Sequence, residues 1–293
     1  MPKLNKAINT VIAKETDGTI QITFTIPYSL IQEGQEQALL EISKDIEVPG
    51  FRKGNAPVEK VKEKVAPATI IEKALSIILP KALGEALTKH QIKPLIYPKF
   101  ELLNAKENED WQVRAITCEF PKFVIGDYRK EIVTTAKSST IWTPGNSKDK
   151  PKEKTHEEKE QNVIKVLLAF ADVQIPKPLV DEEVDARLAS LLERTERLGL
   201  SLEKYLLSIG KTPETLRQEY GTQAREALKL DIILTKIAEE QNIKINDTDI
   251  DKAIKESSAD EKVAQKLNTP EQRRFIEAIL KKRAILDSLT SLI

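Results

Sequence analysis

The chain has 293 residues, long enough for two or three modest domains, each with its own core. Charged residues make up 31% and aromatics 5%, and 46 basic side chains balance 46 acidic ones, so any contact with RNA has to come from a local basic cluster rather than a global field. One cysteine, Cys118, and two histidines, His90 and His156, exclude a disulfide framework and a multi-ligand Cys/His metal site. No apolar stretch follows Met1-Pro2-Lys3-Leu4-Asn5-Lys6, and no run of about 18 apolar residues occurs, which predicts a cytoplasmic protein with no membrane segment.

Ile20, Ile22, Phe24 and Ile26 alternate with Gln21, Thr23 and Thr25, the period of a half-buried strand, and Asp17-Gly18 ahead of them signals a hairpin turn. After Pro27 the period becomes helical through Leu30, Ile31, Ala38, Leu39, Ile42 and Ile46, with Ser29 available as a cap and a stop before Pro49-Gly50. From Pro57 to Gln91 the apolar spacing predicts two or three further helices, with Pro67 and Pro80 as breaks or first-turn residues. A strand pair is expected around Phe100 to Leu103 and Trp111 to Phe120. The order predicts an α+β domain whose helices cover one face of an antiparallel sheet.

Between about Thr134 and Gln161 the apolar period disappears, and ten of the thirteen residues from Lys148 to Glu160 are charged, which predicts a linker. Lys154 to Gln161 can extend the next helix as a solvated stretch. From Val163 onward the pattern is helical and well punctuated. A helix carrying Val180, Val184, Leu188, Leu191 and Leu192 ends at Gly199, and Ser201 caps one that stops at Gly210. Thr212-Pro213 opens another, Asn246 precedes Asp247 to Ile254, and Thr269-Pro270-Glu271-Gln272 reads as a capping box. The second half is expected to be all-α, and the absence of a fixed repeat argues against a solenoid.

The segment Val48-Pro49-Gly50-Phe51-Arg52-Lys53-Gly54-Asn55-Ala56-Pro57 joins two amphipathic helices and sets one aromatic beside two cations, bracketed by glycine and proline. Glycines at 50 and 54 permit backbone conformations closed to other residues; Phe51 offers an apolar anchor, and Arg52 and Lys53 reach phosphate or carboxylate. On residue chemistry alone two readings stand: a projecting contact loop, or a Phe51 folded into the core with two ordinary surface charges.

Gly50, Phe51, Arg52, Gly54 and Pro57 match G-F-R-x-G-K-x-P, and here the sequence resembles the trigger factor family, whose ribosome-docking signature this is. Asn55 stands where the family usually has lysine. The resemblance extends to the strand and helix before the loop and to the stretch from Val173-Gln174-Ile175-Pro176 through Ile254, including Leu200 to Tyr205, Gly210 to Glu214 and Ile243 to Asp247. It implies an elongated, multi-domain chain: an α+β ribosome-binding domain over 1–130, a charged linker over 131–161, and an all-α chaperone domain over 162–293. It further implies that Phe51, Arg52 and Lys53, within the site Gly50 to Asn55 and Pro57, dock on a large-subunit ribosomal protein and adjacent rRNA beside the exit tunnel. Nascent or unfolded polypeptides are then held in a helical cradle without cofactor or ATP, with homodimerisation left open.

The family normally inserts an FK506-binding-protein-like prolyl isomerase domain between these halves. Here only the charged linker stands there, and Trp142, with no strand pattern around it, cannot form an aromatic-lined prolyl pocket, so no isomerase activity is expected. The alternative is a ribosome-independent holdase or assembly chaperone whose loop has lost docking through Asn55. The acidic groups Asp181-Glu182-Glu183 and Asp247, Asp249, Asp251 are read as helix N-terminal residues favoured by the dipole, and both histidines as solvent-facing or helix-terminal.

Overall fold

The computed structural model describes residues 7–49, 51, 54, 57–106, 108–138, 155–256 and 268–293. They fall into two compact units, 1–121 with Pro176–Leu179, and 122–175 with 180–293.

The first unit is built on a four-stranded antiparallel sheet of order β1-β2-β4-β3: β1 Asn9–Lys14, β2 Thr19–Ile26, β3 Lys99–Asn104 and β4 Trp111–Cys118. The alternation seen in the sequence places Ile20, Ile22, Phe24 and Ile26 inside, and the register sets Phe24 opposite Val113 and Ile26 opposite Trp111, which continues the same apolar face. The hairpin turns at Asp17-Gly18, where Gly18 adopts φ +93°, a region that a side chain disfavours. Helix α1 (Tyr28–Asp45) and helix α3 (Pro67–Lys89) cover this face through Ile31, Leu79, Ala82, Leu83 and Ala86. They meet closely at Gly34, where a Cβ would stand 2.6 Å from Ile78 Cδ1.

Two expectations are corrected here. Ser29 is not the cap of α1: Pro27 occupies that position, Ser29 lies inside the first turn, and the Tyr28 N–H is bonded instead by Asp110 Oδ1 at 2.9 Å, from the end of the β3–β4 connection. Pro80 does not break the helix. Residues 67–89 form one helix with Pro80 inside and Pro67 at its start, because Leu79, Ala82 and Leu83 on either side of the exposed Pro80 stay packed on the sheet, and that burial exceeds the cost of one lost hydrogen bond.

The second unit is helical: α4 Tyr128–Ser138, α5 His156–Phe170, α6 Lys177–Arg197, α7 Leu202–Ser208, α8 Pro213–Glu240, α9 Asp247–Glu256 and α10 Pro270–Thr290, with the root of α6 grouped in the first unit. Helices α5, α8 and α10 pack on one another with Val163, Leu167, Ile233, Ile237, Ile285 and Leu289 buried. Along α6 and α8 a second cluster joins Val180 and Val184 to Ala224, flanked by Leu188, Tyr220 and Leu228. Caps at Ser201, Thr212 and Thr269 accept bonds from the third residue on, as their sequence position predicts.

Helix α4 runs to residue 138, into a stretch expected to lack structure from about 134. It is held by one fully buried side chain, Ile132, and by α5 packed beside it, which is too little apolar signal to see along the chain. Helix α5 begins inside the charged segment, as a solvated extension, with a capping box between Thr155 and Glu158. Trp142 and most of the linker lie outside the described residues.

Candidate functional site

The site is assembled from the end of α1, the short helix α2 (Val58–Lys64) and the start of α3. Leu39, Val48, Val61 and Ile70 form a small core of their own, separate from the core beneath the sheet, with Ile42, Ile46, Val58 and Val65 packed around it. Each fully buried aliphatic side chain contributes about 2 kcal/mol, so this cluster holds the two ends of the loop against chain entropy. The Lys64 ammonium donates to the Glu47 carbonyl, which ties the last turn of α2 back to the loop's first residues. Pro57 caps α2 with φ −58° and ψ 144°, an extended geometry that sends the incoming chain away from the helix axis.

On this base Phe51 N–H donates to the Val48 carbonyl at 3.0 Å, closing a turn, and Phe51 is 43% exposed and outside the small core. The folded-in reading of Phe51 is therefore not what the chain adopts. Gly54 sits at φ +85°, where a Cβ would be strained, and its backbone lies against the last turn of α1. Gly50, Arg52, Lys53 and Asn55 lie outside the described residues. The feature that sequence reading missed is the small core itself. Its signal was present, since Leu39, Ile42, Ile46, Val58, Val61 and Val65 are spaced at helical intervals, but nothing in one helix's pattern says that two apolar stripes meet away from the main core.

The other sequence candidates are accounted for by packing. Arg273 on α10 donates to Asp251 Oδ1 at 2.6 Å and Asp247 Oδ1 at 3.1 Å, so two of the three acids of the Asp247 run clasp α9 to α10, and those bonds hold the Arg273 guanidinium above its usual range. Glu183 pairs with Arg187 at 2.7 Å along α6. His90 is the C-terminal cap residue of α3, and His156 opens α5 with its Nε2 3.7 Å from Asp287 Oδ1. Among the described residues no group of three or more His, Cys, Asp or Glu is placed to hold a metal ion, and no helix is long and apolar enough to cross a membrane.

The family model described as bacterial trigger factor protein matches residues 9–143, and that for the bacterial trigger factor C-terminus matches residues 145–291. The trigger factor of Streptococcus agalactiae serotype Ia is 33% identical over 108 residues, 37% of this chain, and that of Streptococcus mutans is 31% identical over 120 residues, 41% of this chain. These matches span 25% and 28% of the relatives' own length. The trigger factor of Staphylococcus epidermidis aligns over 374 positions at 20% identity, taking in 81% of this chain and 86% of its own. That alignment has more positions than this chain has residues, so part of the relative has no counterpart here. A solved structure from work on promiscuous substrate recognition in the folding and assembly activities of the trigger factor chaperone superimposes with a TM-score of 0.60 at 13% identity, over 97% of this chain and 99% of that one, which is a likeness of fold. With one family model covering half of the chain and a second covering nearly all the rest, the chain belongs to the bacterial trigger factor family.

Proposed function

We propose that this chain is an ATP-independent chaperone that docks on the large ribosomal subunit beside the polypeptide exit through residues 50–57 and shields nascent or unfolded polypeptides. The observation that carries the reading is the exposed Phe51 on a turn whose two ends meet in a small core, one aromatic anchor adjacent in sequence to the cations Arg52 and Lys53. Residues 1–130 dock, residues 162–293 hold clients and residues 131–161 connect them, in the cytoplasm. Leu198, Leu207 and Phe275, which are 75%, 80% and 65% exposed on the helical unit, are of the kind that gives weak apolar contacts to an unfolded chain. Tethering raises the local concentration of those surfaces, so each contact can stay weak and release as the client buries its own apolar groups.

Co-sedimentation with ribosomes tests this. Wild type is expected to pellet with ribosomes and the Phe51→Ala, Arg52→Ala double variant to stay in the supernatant; equal pelleting sinks the docking claim and leaves a ribosome-independent holdase. Lacking the inserted domain, the chain is proposed to have no prolyl isomerase activity, and catalysis well above buffer in a protease-coupled proline-peptide assay overturns that part.

A further inference from the structure

The sheet of the first unit has two edge strands, and they are not alike. Strand β3 carries a register shift between Leu102 and Asn104, and Lys99 and Glu101 are exposed along it; a bulge and charges are what discourage a further strand from pairing. Strand β1 has neither bulge nor proline. It pairs with β2 in unbroken register from Asn9 opposite Thr25 to Lys14 opposite Ile20, and its one cation, Lys14, stands at the end and is engaged by Glu119 at 2.9 Å.

The ladder also fixes which backbone groups of β1 face outward. The Glu15 N–H donates to the Thr19 carbonyl at 2.8 Å, so residues 15 and 19 are a hydrogen-bonded pair, and in an antiparallel ladder every second residue repeats that pairing. Ala13, Val11 and Asn9 therefore bond to β2, while the N–H and C=O groups of Thr10, Ile12 and Lys14 point away from it. Among the described residues none of these outward groups has a partner. The same edge borders a cavity of about 350 Å³, walled by Ile8 from the start of the strand, Leu30 of α1, and Ile77, Ile78 and Ala82 of α3. The exposed side chains Glu33, Lys81 and Glu85 rim it with one net negative charge. A strand added beside β1 would lie about 4.8 Å from it, with its inward side chains over this cavity.

We propose that the β1 edge is a polypeptide-binding site, where an extended unfolded segment adds to the sheet as a further strand. Its main chain pairs with Thr10, Ile12 and Lys14, an aliphatic side chain enters the cavity, and a flanking lysine or arginine meets the acidic rim. Pairing through the main chain is indifferent to sequence, which suits clients of varied sequence; the cavity and rim add the preference for an apolar residue beside a cation. A second copy of this chain fits the edge less well. Its own Ile8 and Ile12 are packed on its own core and are not free to enter the cavity, and a symmetric contact would bring two acidic rims to one interface. The assignment rests on the reading that the chain holds unfolded polypeptides, and adds to it a site on the first unit.

The probe is a short synthetic peptide alternating leucine and threonine with a lysine at each end. Its binding to the full chain is measured by fluorescence anisotropy, and amide exchange is followed residue by residue with and without it. Exchange at Thr10, Ile12 and Lys14 should slow on binding. The same peptide N-methylated at alternate amides on both edges keeps its side chains but loses its main-chain donors, and should bind about 20-fold more weakly or worse. Thr10→Pro, first checked by thermal unfolding, removes one outward donor at an edge position that tolerates proline and should weaken binding about fivefold. Glu85→Lys should weaken it about twofold to fivefold and favour a version of the peptide ending in glutamate. Equal affinity for the N-methylated peptide, protection confined to the helical unit, or no peptide binding by a chain that still suppresses aggregation of an unfolded protein overturns the proposal and leaves the chaperone reading standing. Outward amides already protected in the dilute, peptide-free chain mean that the chain covers its own edge, and protection that appears only as chain concentration rises means that a second copy does; either result refutes the proposal. A chain that neither binds the peptide nor suppresses aggregation takes the chaperone reading down with it.

Discussion

Replacing Asp17 with alanine removes the acceptor of three hydrogen bonds: Thr19 N–H at 2.8 Å, Thr19 Oγ1–H at 2.9 Å and Lys177 N–H at 3.2 Å. Thr19 is 4% exposed, so its amide and hydroxyl are left without a partner, whereas water can reach Lys177. Leaving one buried amide and one buried hydroxyl unpaired costs about 3 kcal/mol together. Asp17→Asn keeps one acceptor oxygen but sets an amide NH2 where the second carboxylate oxygen stood, so it loses charge assistance and at least one of the three bonds, a deficit of about 1 to 2 kcal/mol.

Burial pushes the Asp17 carboxyl up, but the bonds from Thr19 and Lys177 outweigh it and hold the group below the ordinary carboxylate value. A depressed folded pKa means that the charge-dependent stability is fully present above the unfolded value, about 4, and is lost as pH falls through the lower folded value. Urea unfolding is followed by the fluorescence of Trp111, 3% exposed in β4, in a Trp142→Phe background so that the first unit reports alone. The Asp17→Asn deficit should be equal at about pH 7 and about pH 5.5 and should shrink as pH falls below about 4. An Asp17→Ala variant within about 0.5 kcal/mol of wild type, or an Asp17→Asn deficit unchanged down to about pH 2, refutes the reasoning.

Three further outcomes are expected. Val61→Ala, at a side chain with no exposed surface in the small core, should cost about 2 kcal/mol and raise amide exchange over 46–64 while the sheet keeps its protection. Uniform protection across both would show that the loop's base is not a separate unit. Asp110→Ala should remove the bond to Tyr28 N–H and lower stability by about 1 kcal/mol in the same fluorescence assay, with Asp110→Asn recovering most of it. Arg273→Ala should raise exchange in α9 with little change in the unfolding midpoint of the first unit; unchanged exchange would mean that Ile250 and Ile254 alone hold α9 in place.

The α+β order of the first unit and the helical second unit were legible because the apolar period changes sharply, from two at Ile20 to Ile26 to a helical one after Pro27, and because Gly199, Gly210, Thr212-Pro213 and Thr269-Pro270 punctuate the second half. Errors arose where a local signal competed with distant packing. Ser29 has the chemistry of a cap, but Asp110 reaches Tyr28 from 82 positions away, and Pro80 has the chemistry of a break, but its neighbours are pinned to the sheet. Helix α4 escaped notice because a helix with one buried anchor has almost no period.

The position of the candidate loop was a property of the sequence, since proline and glycine restrict or free backbone angles whatever surrounds them, and the alternation of apolar side chains sets which face a strand buries. Two things were left to the tertiary structure: that Phe51 is exposed rather than folded in, and that the backbone of the last turn of α1 lies beside Gly54. Both depend on how α1, α2 and α3 meet, and the meeting of helices is decided by the total apolar surface they remove from water together, a quantity that no single segment contains.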